Sequence, residues 1–163
     1  MRVAVRHLRL SFDWLVSGIN AGGNLGSDVF MSGTVAAARE AVLLGHRAVA
    51  VSQYRRTREP IRWDETAERA RRALVEVLGT LPESGVFWNV NLPDPPLVDG
   101  DRSIVAPPIV RCPLDLNPLA YQYEPTPDGL LYRGRYQQRD RTPGADVERC
   151  FSGSITLTRI DLG

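Results

Sequence analysis

Lysine is missing altogether: all 20 basic residues of this 163-residue chain are arginine. That absence excludes Schiff-base chemistry, a lysine general base and the Walker-type loop, whose lysine must reach the phosphates. Histidine and cysteine are scarce as well, with two of each: His7, His46, Cys112 and Cys150. Neither pair has the spacing of a zinc site. Two widely separated cysteines read as reduced thiols of a cytoplasmic protein rather than as a disulfide framework. An excess of one charge is also lacking, since 20 basic against 19 acidic residues leave a net charge of +1. This balance argues against a dedicated nucleic-acid binder. No apolar run approaches the ~18–20 residues of a membrane span. The basic N-terminus, MRVAVRHLRL, lacks the apolar stretch and small-residue cleavage site of a signal peptide. At roughly 100–200 residues per domain, one domain is expected.

What is present alternates between two periods. Residues 12–16 (FDWLV), 48–52 (AVAVS) and 86–90 (VFWNV) are short apolar runs that read as buried strands. Residues 32–44 (SGTVAAAREAVLL) open on a serine N-cap and stop at Gly45, which predicts a helix. Residues 64–78 predict a second helix, with Asp64 as its cap and Ala67, Ala70, Leu74, Val77 and Leu78 on its buried face. The order β-α-β-α-β implies a partial parallel sheet of Rossmann-like α/β type, whose ligands bind at the carboxyl ends of the strands. Residues 17–20, 52–53 and 89–91 leave those ends. Beyond Pro93 the texture changes. Prolines concentrate in residues 93–127, with pairs at Pro95-Pro96 and Pro107-Pro108. Residues 121–124 and 130–136 flank a Pro127-Asp128-Gly129 turn and predict a β-hairpin, and residues 154–160 alternate as a further strand. The expected division is an α/β core over 1–93 and a hairpin and extended-arm appendage over 94–163, within a single domain.

Residues 17–34 (SGINAGGNLGSDVFMSGT) concentrate five glycines and two asparagines between a strand and an alanine-rich helix. Glycine lets the backbone approach a ligand closely. Ser32-Gly33-Thr34 then offers free amides and hydroxyls at the positive end of a helix dipole, an anion site by construction.

The string SGIN-x-G-x-N-L-G-x-D-V followed by SGTVAAA-x-E closely resembles the SurE family of metal-dependent 5′/3′-nucleotidases. LGHRAVAVS at residues 44–52 and Asn89-Val90-Asn91-Leu92-Pro93 are similar to further motifs of that family, and Ser154-Ile155-Thr156 is so more loosely. The resemblance implies a Rossmann-like hydrolase that removes phosphate from nucleoside monophosphates with one divalent cation, Mg²⁺ or Mn²⁺. In that scheme Asn20 is a metal ligand. Asn24, Ser32, Gly33 and Thr34 line the phosphate pocket, with Gly18, Gly23 and Asp28 in accessory roles. The cation polarises the phosphoryl group and activates water.

The family also begins with a strand ending in Asn-Asp-Asp-Gly and a further βα segment. Here eleven residues precede FDWLVSGIN and none is acidic, so the aspartate pair and a serine ligand are unmatched. Asp13 lies ~13 Å back along its strand at ~3.3 Å per residue and cannot replace them. Asp28 is expected to bond loop amides. Three origins stay open: a start codon placed late, a truncated gene, or a shortened relative that uses residues 3–10 (VAVRHLRL, which alternate) as a replacement strand. Without the missing segment the sheet is expected to carry an open apolar edge.

The expected activity is therefore a metal-dependent 5′/3′-nucleotidase of little or no turnover as given. The alternative is a non-catalytic nucleotide- or phosphate-binding or oligomerisation module. Expected partners are a nucleoside monophosphate and further copies of the chain, as a dimer or tetramer through the hairpin and arm, with neither nucleic acid nor membrane. Arg55, Arg56, Arg58 and Arg62 read as a solvated loop or as a phosphate or base contact. Tyr121, Tyr123, Tyr132 and Tyr136 read as cross-strand or subunit contacts, or as platforms for a base.

Overall fold

A computed structural model describes residues 1–80, 83–94, 106–119 and 121–163; Pro95-Pro96 lies outside the described residues. A five-stranded sheet has the order β1-β2-β3-β7-β4. Strands β1 (Trp14–Ala21), β2 (Arg47–Gln53) and β3 (Val86–Leu92) run parallel. β7 (Ile155–Asp161) pairs antiparallel with β3, and β4 (Ile109–Arg111) adds parallel to β7. Helices α1 (Gly33–Leu43) and α2 (Trp63–Leu78) link the first three strands.

The period of 2 along each strand assigns the two cores. Val49 and Val51 of β2 and Val90 and Leu92 of β3 face α2, joining Ala70, Ala73 and Val77. Ala48 and Ala50 face the other way, with Phe87, toward Val35, Ala38 and Ala41 of α1. On that α1 side the strands turn polar toward the carboxyl ends of β2 and β3: Ser52 follows Ala50, and Asn89 and Asn91 follow Phe87, all fully buried.

α1 matches its sequence signals. Ser32 Oγ accepts the Val35 amide at 3.1 Å. At the other end Gly45 adopts φ +86°, so that its amide reaches Val42 O (2.9 Å) and that of His46 reaches Ala41 O (3.0 Å), a Schellman stop. The His46 ring stacks on Phe12, centroids 4.4 Å apart.

α2 differs from expectation. Asp64 does not cap it; the cap position is Arg62, with no side-chain cap bond, and Asp64 lies inside the first turn, where its charge favours the dipole. Its buried face is Thr66, Ala70, Ala73 and Val77, while Ala67 and Leu78 are exposed.

Residues 3–10 do not form a replacement strand. Val3–His7 is a single π-helical turn, whose amides close locally, as in Leu8 N–H to Val3 O at 2.9 Å. β1 is consequently an edge strand among the described residues, with Val16 exposed. The hairpin forms as expected, from β5 (Tyr123–Thr126) and β6 (Gly129–Tyr132), and all eight of its residues are exposed. β7, by contrast, returns to the middle of the main sheet, preceded by the short helix α3 (Asp146–Phe151).

Candidate functional site

Residues 17–20 were expected to leave the first strand; instead they belong to it. β1 continues to Ala21, with a register shift between Ser17 and Asn20. Gly18 sits at that irregularity with φ +135°, so close to β2 that a Cβ would lie 2.2 Å from Val51 O. Asn20 pairs with Ser52 in the ladder. Its Nδ2 donates to Gly22 O at 2.8 Å, which leaves the amide oxygen as its ligand-capable atom.

The loop that follows is held down by amide side chains. The Asn24 amide donates to Asn91 Oδ1 at 2.8 Å, and Asn91 Nδ2 donates back to Asn24 O at 3.0 Å. Asn89 Nδ2 donates to that same oxygen at 2.8 Å, and Asn24 Nδ2 donates to Ser52 Oγ at 2.6 Å. A loop laid on buried sheet must satisfy its own peptide groups, and β3 supplies side chains where a neighbouring strand would supply backbone. A Cβ built on Gly23 would lie in ordinary van der Waals contact, 3.4 Å from Leu25 Cδ1 and Tyr54 Cβ.

A second set of ties comes from the far end of the chain. Asp28 Oδ2 accepts from Tyr136 OH, from Arg139 Nη1 at 2.9 Å, and from the Leu25 amide at 3.4 Å. The loop-amide contact expected of Asp28 is thus present, joined by an ion pair whose arginine is buried. Buried Asp146 accepts the amides of Gly26, Asp115 and Val147, each at 2.9 Å. Buried Asp115 in turn accepts the Thr142 and Asn117 amides, at 2.8 and 2.9 Å. Arg139, Asp115 and Asp146 were not singled out in the sequence; Tyr136, read there as a cross-strand or subunit contact or a base platform, instead donates its hydroxyl to Asp28.

Several of these groups are held away from their ordinary protonation range. Burial, with Asp28 beside it, pushes the Tyr136 phenol up. Burial also pushes Asp146 up against the pull of its three amides. The Cys112 thiol is pushed from 9.0 to about 11 by burial, and burial pushes that of Cys150 well above its ordinary range. A thiol or phenol whose pKa is raised in the fold contributes stability below its unfolded pKa and loses it as pH climbs toward the folded value. Urea unfolding is therefore expected to show falling stability between pH 9 and about 11, with part of that fall removed by Cys112→Ala. A flat profile across this range would contradict the assignment.

The loop delivers the chain to the N-terminus of α1. Ser32 uses its hydroxyl on Val35, and the Ala36 amide bonds Ser32 O at 2.9 Å. The amides of Gly33 and Thr34 are thereby left without an intrahelical acceptor, as at any helix start. A Cβ built on Gly33 meets nothing within 4 Å, so the terminus is open. Phe30 and Met31 stand exposed beside it. Two amides without an intrahelical acceptor, at the positive end of an eleven-residue helix, can hold an oxyanion. Ser32, Gly33 and Thr34 share this terminus, while Asn24 is engaged beneath the loop.

A hard dication takes about six oxygen ligands. Among the described residues, no group of three or more His, Cys, Asp or Glu side chains could hold a metal ion. Nor, among them, is any helix long and apolar enough to cross a membrane.

The family described as "Survival protein SurE" matches residues 1–106. A protein of Nostoc sp. (strain PCC 7120) named "Putative 5'-nucleotidase alr3139" is 41% identical over 160 residues, 98% of this chain and 69% of that protein. The "5'-nucleotidase SurE" of Rhodospirillum rubrum is 39% identical over 163 residues, 96% of this chain and 61% of the relative. The crystal structure of the SurE protein from Aquifex aeolicus superposes with a TM-score of 0.77 at 24% identity, over 99% of this chain and 65% of that one. This last likeness establishes the α/β fold. The chain thus spans about two thirds of its relatives' length, and with more than half of its residues matched, it belongs to the SurE family.

Proposed function

We propose that this chain carries the phosphate-holding part of a 5′-nucleotidase, a phosphomonoester hydrolase acting on nucleoside monophosphates. The observation that carries the reading is the N-terminus of α1, where the amides of Gly33 and Thr34 have no intrahelical acceptor, a Cβ on Gly33 would enter open space, and a loop is fixed beside it from two sides. The relatives are named as nucleotidases, and a nucleotidase must grip a phosphoryl dianion. The amides would bind its oxygens and stabilise charge that shifts onto them during transfer. The Asn24–Asn91 and Asp28–Arg139 ties would keep those donors in place, so that no reorganisation is required at the moment of reaction. Residues 1–163 would act as one unit, because β7 completes the sheet and Asp146 pins Gly26.

The family resemblance implies a divalent cation, for which Asn20 would offer one amide oxygen. The described residues do not fit such an ion by themselves, since no group of three or more His, Cys, Asp or Glu side chains among them could hold it. This chain alone is accordingly expected to bind a nucleoside monophosphate and to hydrolyse it slowly or not at all. An assay of phosphate release with and without Mn²⁺ checks this. Robust Mn²⁺-dependent turnover abolished by Asn20→Ala would show a working metal site and overturn the reading.

The hairpin is proposed as the contact between copies of the chain. Tyr121, Tyr123 and Tyr132 cluster with centroids 5.7–6.4 Å apart, yet β5 and β6 are exposed along their whole length. A lone two-stranded ribbon is marginal in water without something to pack on.

A further inference from the structure

Beside the carboxyl end of β2, Arg55, Arg56, Thr57, Arg58 and Gln137 line an open recess of about 410 Å³, within the ~300–1,000 Å³ range of ligand sites. We propose that this recess is a second oxyanion site, distinct from the α1 terminus, that takes a phosphate-class dianion.

The charge is concentrated. Among the described residues, three of the five that line it are arginines and none is acidic. The guanidiniums of Arg55 and Arg56 are oriented by carbonyls. Arg55 Nη2 donates to Arg58 O and Glu59 O at 3.2 and 3.0 Å. Arg56 Nε donates to Asp94 O at 3.2 Å, and its Nη2 to Phe151 O. A carbonyl fixes the direction of a guanidinium without neutralising it. Elsewhere Arg69, Arg71, Arg139 and Arg159 sit on carboxylates, which consume their charge in the fold.

The neighbouring carboxylates are not among the described residues that line the recess. Asp94 Oδ2 takes the backbone amide of Arg56 at 2.8 Å, and Glu59 and Glu65 line the separate pocket behind Arg55. Arg55 Nε is buried without a partner. Gln137 closes the opposite wall by donating to Arg56 O at 3.3 Å. Three arginines around one recess concentrate positive charge there, and a dianion relieves the repulsion between like charges while accepting forked guanidinium donors.

Calorimetric titration of the whole chain with inorganic phosphate at low ionic strength tests this. Two equivalents are expected, one of them lost in Arg55→Ala/Arg58→Ala. Because Arg55 also ties its own loop, Arg58→Glu serves as the second variant. Arg58 is exposed, and reversing its charge is expected to weaken one site at least tenfold with the melting temperature unchanged. Gly33→Pro removes one α1 amide and is expected to affect only the other equivalent. Phosphate binding that is identical in wild type and both arginine variants overturns the proposal. Failure of Gly33→Pro to change anything overturns the α1 reading instead and leaves this one standing. Repeating the titration with a nucleoside monophosphate identifies the source of the dianion: competition at the recess assigns it to nucleotides, its absence to free phosphate, and either result retains the site.

Discussion

Gly18→Ala is expected to leave little folded protein. The residue has φ +135°, and an added Cβ would meet Val51 O at 2.2 Å and Val51 C at 3.1 Å. Both are backbone atoms of an interior strand that is buried from Ala48 to Gln53, so no side chain can swing aside to relieve the overlap. The lost stability should exceed about 4 kcal/mol, the extreme of single substitutions, out of a total of roughly 5–15 kcal/mol. Gly33→Ala is the matched control. Its Cβ enters open space, and the change should leave stability within about 1 kcal/mol of wild type. Soluble yield and urea midpoints decide the matter. Equal midpoints for the two variants would show that β1 does not approach β2 as described.

Asn91→Leu should cost about 2–4 kcal/mol through a different mechanism. Leucine fills similar space but leaves the Asn24 amide, now donating to Oδ1 at 2.8 Å, buried with no acceptor. It also removes one of the two donors on Asn24 O. Since Ser52 grips the same residue through its side chain, Asn91→Leu and Ser52→Ala should be non-additive by about 0.5–3 kcal/mol in a double-mutant cycle. Additive losses would mean that Asn24 does not link the two. Phosphate affinity should fall along with stability, because the freed loop leads into the α1 terminus.

Much of the fold was legible in the residues, and the failures have physical causes. α1 could be placed closely because Ser32 and Gly45 act through local chemistry, a cap bond and a left-handed stop. β2 was legible because a strand buried on both faces is a continuous apolar run. The second half of β1 was not, since Ser17-Gly18-Ile19-Asn20 looks like a turn until β2 is laid beside it. Residues 3–10 alternate as a strand does, but alternation specifies a strand only where a neighbour takes up the backbone groups, and here they close on themselves. β7 is misleading for a related reason. Thr156 and Thr158 give it a half-exposed pattern, yet in register they meet Asn91 and Asn89 of β3 and are buried.

In the candidate site, the segment that carries the oxyanion donors could be recognised from glycine content and the helix start. Its supports could not. Asp28 finds Arg139 across 111 positions and Gly26 finds Asp146 across 120, and one sequence holds no record of such distant pairings. Asn89 and Asn91 were noticed as polar strand-end residues. That they serve as a substitute backbone for Asn24 became visible only with the loop in place.

The central claim is that the amides of Gly33 and Thr34 hold a phosphoryl group. Titrating ¹⁵N-labelled protein with inorganic phosphate and following the amide resonances tests it most directly. The account predicts that Gly33 and Thr34 show the largest saturable shifts outside the 55–58 segment, and that Gly33→Pro weakens the effect at Thr34. Saturable binding that leaves both resonances in place would contradict it.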